Sequence, residues 1–215
     1  GYVVDEETGE KIPDATIYEK QHLISSLTDS KGYFTLKLKN KNPNALITVS
    51  KTDYLDTAIL VQTKFNQQVS IALRHREEFK TVTEDSVIAL AVNEAAPTIE
   101  DEGDRMERKW IGRVLLSSKQ RIQSLNLKKF YTTRAWQFSL VPGLSTHGKM
   151  NAQVINKTSI NLIGGYSGGV EIMELGGLFN IDKQHVRSLQ LAGLFNVVGG
   201  NVKGVQASCI INEVD

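Results

Sequence analysis

The chain holds a single cysteine, Cys209, in 215 residues, so no intrachain disulfide, no CxxC redox pair and no cysteine-built zinc cage can form. No apolar run reaches the ~18 residues a membrane helix needs, and there is no charged-then-apolar segment of the signal-peptide kind. An excess of either charge is also missing. Lys plus Arg number 25 against 24 Asp plus Glu. The balance holds along the chain, at 9 and 9 in residues 1–75, 11 and 10 in 76–136, and 5 and 5 in 137–215, which excludes the basic face of a nucleic-acid binder. With 40% hydrophobic residues, disorder over the whole length is excluded as well.

What is present from Gly1 to Leu73 is a series of short apolar runs broken by turns at roughly ten-residue spacing, the pattern of an all-β sandwich. Tyr2-Val3-Val4, Ala15-Thr16-Ile17-Tyr18 and Leu23-Ile24-Ser25-Ser26-Leu27 read as strands, as do Ala45 to Ser50, Ala58 to Val61 and Val69 to Leu73. Thr28-Asp29-Ser30-Lys31-Gly32 reads as a tight turn, with Asp29 bonding its own backbone and Gly32 in a left-handed position. After it, Phe34, Leu36 and Leu38 alternate with Thr35, Lys37 and Lys39, predicting a half-buried strand and a total of seven.

These residues carry a resemblance. Gly1-x-Val3-x-Asp5-x-x-Thr8-Gly9-Glu10-x-Ile12-Pro13-x-Ala15-x-Ile17, then Thr28-Asp29-x-x-Gly32-x-Phe34-x-Leu36, then Val49-Ser50, resemble the carboxypeptidase-regulatory-like domain of Bacteroidota cell-envelope proteins. The resemblance implies a seven-stranded, prealbumin-like sandwich acting as an accessory module without catalytic residues. One departure is Asp53 before Tyr54, where that family usually has glycine.

Residues 76–135 read as a linker or mixed segment. Glu100 to Lys109 is a run of mixed charge, read as solvated. Ser117 to Leu127 is the one helical stretch, capped by Ser117 or Ser118, with Leu115, Leu116, Ile122 and Leu125 as its apolar stripe.

Residues 136–215 repeat. Gly176-Gly177-Leu178-Phe179-Asn180 recurs as Ala192-Gly193-Leu194-Phe195-Asn196 and as Ser208-Cys209-Ile210-Ile211-Asn212. The spacing is 16 each time, Val154, Val170, Val186 and Val202 keep the same register, and Leu162-Ile163 aligns with Leu178-Phe179. A fixed period without insertions predicts stacked units, a β-solenoid, with Leu178, Leu194 and Ile210 in a buried row and Asn180, Asn196 and Asn212 in a ladder at a corner. The alternative is a membrane β-barrel, with Leu191 and Phe195 facing lipid and Gln190 and Asn196 facing the lumen. The unit Ser188 to Asn196, introduced by Trp136 to Thr146, is similar to bacterial surface-repeat proteins built from Gly-x-Gln-x-Ala-Gly-Leu-Phe-Asn units. That resemblance implies a location at the cell surface more than a mechanism. The sequence leaves open whether the array ends at Asp215.

No constellation for chemistry emerges. His22, His75, His147 and His185 stand isolated, without metal-ligand spacing. Gly165-x-Ser167-x-Gly169 spells a nucleophile elbow, but it precedes a repeat strand rather than a helix, and His185 is its sole candidate base. Gly164 to Gly169 lacks the Lys-Ser/Thr ending of a phosphate loop. Glu100, Asp101, Glu102 and Asp104 lack EF-hand spacing. Cys209 reads as a small packed residue, and Trp110 and Trp136 as anchors between domains. The expectation is therefore a mainly β, exported, non-enzymatic protein of the periplasm, outer membrane or cell surface, with no catalytic, cofactor or metal residues. Three parts are expected: a sandwich over 1–75, a linker over 76–135 and a β-repeat array over 136–215. The array would act in protein or glycan interaction or as a spacer, with another envelope protein or a surface glycan as partner and no nucleic acid. The alternative is an outer-membrane component whose repeats form barrel strands below a periplasmic sandwich. Binding residues, oligomeric state and membrane association are not set by the sequence.

Overall fold

The computed structural model describes residues 1–39, 42–76, 110–128 and 130–214. The charge run at 100–109, with its four acidic candidates for calcium, lies outside them.

Six strands build the amino-terminal sandwich: β1 (Tyr2–Asp5), β2 (Thr16–Glu19), β3 (Ile24–Leu27), β4 (Asn44–Ser50), β5 (Thr57–Gln62) and β6 (Ser70–Leu73). An antiparallel sheet of order β3-β2-β4-β5 faces the parallel pair β1-β6. Val3, Ile17, Ile47, Val49, Ile71 and Leu73 close the core between them. The expected seventh strand at Tyr33 to Lys39 forms only a bridge, Tyr2 to Tyr33. Its alternation is nonetheless real, since Phe34 is buried and Leu36 and Leu38 pack on the same core. Period-two burial requires an extended backbone and does not by itself require a hydrogen-bonded partner. The preceding turn forms as expected: Asp29 Oδ1 accepts from the amides of Lys31 and Tyr33 at 2.8 and 2.9 Å, and Gly32 takes φ +68°. Asp53 takes φ +70°, so the left-handed turn is kept with aspartate, one of the few L-residues that tolerates it.

Helix α1 (Trp110–Leu115) and helix α2 (Ser118–Asn126) follow. Ser117 caps α2 in a capping box with Gln120. The expected apolar stripe is only partly used. Leu116 is buried, but α2 itself buries Gln120, Gln123, Ser124 and Asn126. This helix lies between two β units and meets both through hydrogen bonds.

The carboxy-terminal part is a β-solenoid. Its strands are β7 (Thr132–Val141), β8 (Leu144–Ser145), β9 (Val154–Asn161), β10 (Gly164–Ser167), β11 (Gly169–Gly176), β12 (Phe179–Asp182), β13 (Val186–Ala192), β14 (Phe195–Val198), β15 (Val202–Ser208) and β16 (Ile211–Val214), with a 3-10 turn at Gly148–Gln153. Long strands form one sheet of order β15-β13-β11-β9-β7-β8, and short strands form a second of order β10-β12-β14-β16. Every pairing in both is parallel except β7 with β8. Membrane barrels are built of antiparallel neighbours closed into a ring, so the barrel-strand alternative does not hold for these repeats.

The step of 16 is exact from β11 onward, as in Val170 to Val186 to Val202 and Asn180 to Asn196 to Asn212. The first step is shorter. Thr158 faces Met173 and Gly164 faces Phe179, with a bulge between Val170 and Met173. Val154 accordingly pairs with Thr132 rather than falling in the valine row. Where stacked turns touch, a Cβ on Gly177 would lie 1.8 Å from the Leu162 carbonyl oxygen, and one on Gly193 2.2 Å from that of Gly177. Glycine lets these two coils stack closely at the corner, while the equivalent position in the next coil is Cys209.

Candidate functional site

The solenoid interior is polar. Asn161 Nδ2 donates to Asn180 Oδ1, Asn180 Nδ2 to Asn196 Oδ1, and Asn196 Nδ2 to Asn212 Oδ1, each at 2.9 Å. Each of the two middle amides also donates to a main-chain carbonyl, Leu191 and Ala207 respectively. Asn180 and Asn196 are fully buried. The expected ladder therefore exists, inside the coil and not at its corner. The expected Leu row does not. Leu178, Leu194 and Ile210 are 44%, 37% and 68% exposed, because the bends they sit in put these side chains on the outside. Cys209, in the same turn, is likewise exposed rather than packed.

One coil along, Gln190 Nε2 donates to Glu174 Oε2 at 2.8 Å and to Asp182 Oδ2 at 2.6 Å. Asn161 donates to the other Glu174 oxygen at 2.9 Å, and Ser167 Oγ to Asp182 Oδ1 at 2.6 Å. Burial first, and then the neighbouring Glu174 carboxyl, push Asp182 well above the usual carboxylate range. Both carboxyl groups are sealed from solvent, so a substrate has no route to them and the pair is part of the interior scaffold. Ser167, the elbow candidate, lies in this interior on β10, bonded to Asp182 and Gly169 rather than to a histidine.

The four histidines sit apart. His22 Nδ1 contacts Glu19 at 2.9 Å and His75 Nε2 contacts Asp5 at 3.1 Å. His185 Nδ1 accepts from the Asn201 amide at 2.9 Å. His147 lies 3.3 Å from Gln137 Oε1, and burial, followed by repulsion from Arg134, lowers its pKa to about 4. Among the described residues, no three His, Cys, Asp or Glu side chains gather as metal ligands.

Helix α2 joins the two β units. Asn126 Nδ2 donates to the Asp14 carbonyl at 2.7 Å, and its Oδ1 accepts from the Thr52 amide at 3.2 Å. Gln123 Nε2 donates to Ser25 Oγ at 2.8 Å. On the solenoid side, the fully buried Lys183 ammonium donates to Ser124 Oγ at 3.1 Å. Leu116 packs there with Tyr166, Phe179, Ile181 and Val197. Beside the joint lies a cleft of about 300 Å³, lined by Tyr18, Ser50, Asp56, Arg76 and Asn126 among others. Ser50 there is committed to the joint, its Oγ lying 2.6 Å from Asp56 Oδ1 and 2.7 Å from the Asn126 carbonyl.

The other surface with functional character is the outer face of the six-stranded sheet. Register places Trp136, Thr158, Met173, Leu189 and Val205 in one row across the strands, and Phe138, Ile160, Leu175, Leu191 and Ala207 in the next. Nine of these ten positions are apolar. Trp136, expected as an anchor between domains, is 62% exposed on this face. The sequence signal for the face is the alternation Leu189-Gln190-Leu191, whose polar centre points inward. The barrel alternative had this inside-outside assignment right for Gln190, Asn196 and Leu191. Phe195 is instead half-buried and stacked on Phe179 at 5.3 Å.

No curated protein matches the chain. Residues 1–87, less than half of the chain, match the family model described as CarboxypepD_reg-like domain, so the amino-terminal sandwich is similar to that domain.

Proposed function

We propose that this is a non-enzymatic component of a bacterial cell envelope or surface, in which an accessory sandwich is set rigidly on a β-solenoid that acts in protein interaction. The observation that carries this reading is the outer face of the six-stranded sheet. A contiguous apolar face of this extent on a water-exposed element marks an interaction surface rather than ordinary surface. A glycan would need several hydrogen-bonding side chains, and the two rows offer only the Thr158 hydroxyl and the Trp136 indole N–H, so a protein partner is favoured over a sugar. The resemblance of the repeats to bacterial surface-repeat proteins supports the location, as does the accessory character of the sandwich.

Photo-crosslinking tests the reading. With benzoylphenylalanine at position 205, on the outer face, the protein expressed in its own host is expected to give defined crosslinks in the envelope fraction. The same probe at Leu60, an exposed residue of the sandwich, should give none. Recovery of the protein in the cytoplasm, or equal crosslinking from both positions, would refute it.

A further inference from the structure

We infer that the outer face of the six-stranded sheet docks a second copy of this chain, sheet against sheet. The inference rests on the reading of that face as an interaction surface, and three features of the face select the occupant.

Size is the first. Trp136, Phe138, Ile160 and Val205 are 62%, 47%, 45% and 61% exposed, and the turn residues Ile163, Leu178, Leu194 and Ile210 add a third apolar row. Together they expose on the order of 800 Å² of apolar surface, which is what one partner contributes to a stable interface.

Charge is the second. None of the ten positions in the two rows is charged, so the face can oppose its own image without burying like charges. The charges lie toward the other end of the strands, as Lys157, Glu171, Arg187 and Lys203. Three of these four groups are cations, so the border would meet its own image with like charges and has to stay outside the area that two copies cover.

Spacing is the third. Side chains in each row repeat at the interstrand distance of ~4.8 Å, so ridges on one copy match the furrows on another, and two such faces pack ~10 Å apart. A two-fold arrangement makes the contact closed, one dimer and no filament.

The test is sedimentation equilibrium of the whole chain without detergent, from about 1 to 100 µM, a range that reads the affinities expected of a standard interface. A dimer is expected. Leu191→Lys and Ile160→Lys place a charge at positions already exposed in the monomer, and each should weaken association by about 100-fold. Leu60→Lys on the sandwich should leave it unchanged. Far-UV circular dichroism checks that each variant folds, and Val205→Lys on the edge strand provides the same test if one of the others does not. A monomer at the highest concentration, or a dimer that survives both face variants, overturns the proposal. Co-sedimentation with phosphatidylglycerol vesicles separates the two ways of failing. A monomer that binds vesicles through Leu191 overturns the second copy while leaving the face an interaction surface. A monomer that binds none, and gives no crosslinks from position 205 in cells, overturns both.

Discussion

Substituting Asn196 by alanine removes three hydrogen bonds from the solenoid interior: the one it accepts from Asn180 and those it donates to Asn212 and to the Ala207 carbonyl. The partners are not equivalent. The Asn180 amide is sealed from water, and a buried polar group left unpaired costs about 1–3 kcal/mol. Asn212 and Ala207 are exposed at the last coil, so water replaces their lost partner and each loss is nearer the net value of about 1 kcal/mol. Asn196→Ala should therefore cost about 3–5 kcal/mol once the small void is added. Asn212→Ala removes only the acceptor of one Asn196 N–H, which opens to water at this exposed coil once the side chain is gone, and should cost about 1 kcal/mol. Asn196→Asp sharpens the comparison. It keeps shape and acceptor but cannot donate, and it buries a charge, so it should be at least as damaging as alanine. Urea unfolding followed by hydrogen exchange in the β12 and β14 segments measures all three. If Asn196→Ala and Asn212→Ala fall within about 0.5 kcal/mol of each other, a difference no larger than ordinary surface scatter, the ladder does not hold the coils together.

Ile181 is fully buried between the short-strand sheet and the α1–α2 segment. Ile181→Ala should cost about 2–5 kcal/mol, whereas Leu194→Ala, at an exposed turn, should cost well under that in the same urea titration. Asp182 has its pKa raised by burial and by Glu174, so its contribution to stability is complete below the ordinary carboxylate range and is lost as pH rises through the raised value. Asp182→Asn should accordingly flatten that fall and stabilise the solenoid at neutral pH, read as the difference in urea midpoint between variant and wild type. His147 has the opposite sign. Its pKa drops from 6.5 to about 4, so stability is lost as pH falls through that window, and its imidazole should titrate near 4 by NMR; a titration near 6.5 would show that the ring is not buried as described.

Linear order carried the β character of both halves, the Asp29–Gly32 turn, a serine cap at 117 or 118 that the structure places at Ser117, the 16-residue step from β11 onward and the existence of an asparagine ladder. All of these depend on interactions within a few residues or on an exact repeat, and both leave their mark in linear order. It did not determine which side of the repeat is inside. In a soluble core the apolar side is expected inward, which placed Leu178, Leu194 and Ile210 in the core. The solenoid instead fills its narrow interior with Asn, Gln, Glu and Asp, whose hydrogen bonds run from coil to coil, and turns Leu189 and Leu191 outward. Only stacking decides that, because a polar side chain is cheap to bury only when the next coil supplies its partner. Tertiary structure also decided the burial of the polar side of α2, since the donors and acceptors that receive Gln123, Ser124 and Asn126 come from residues as far away as Asp14 and Lys183.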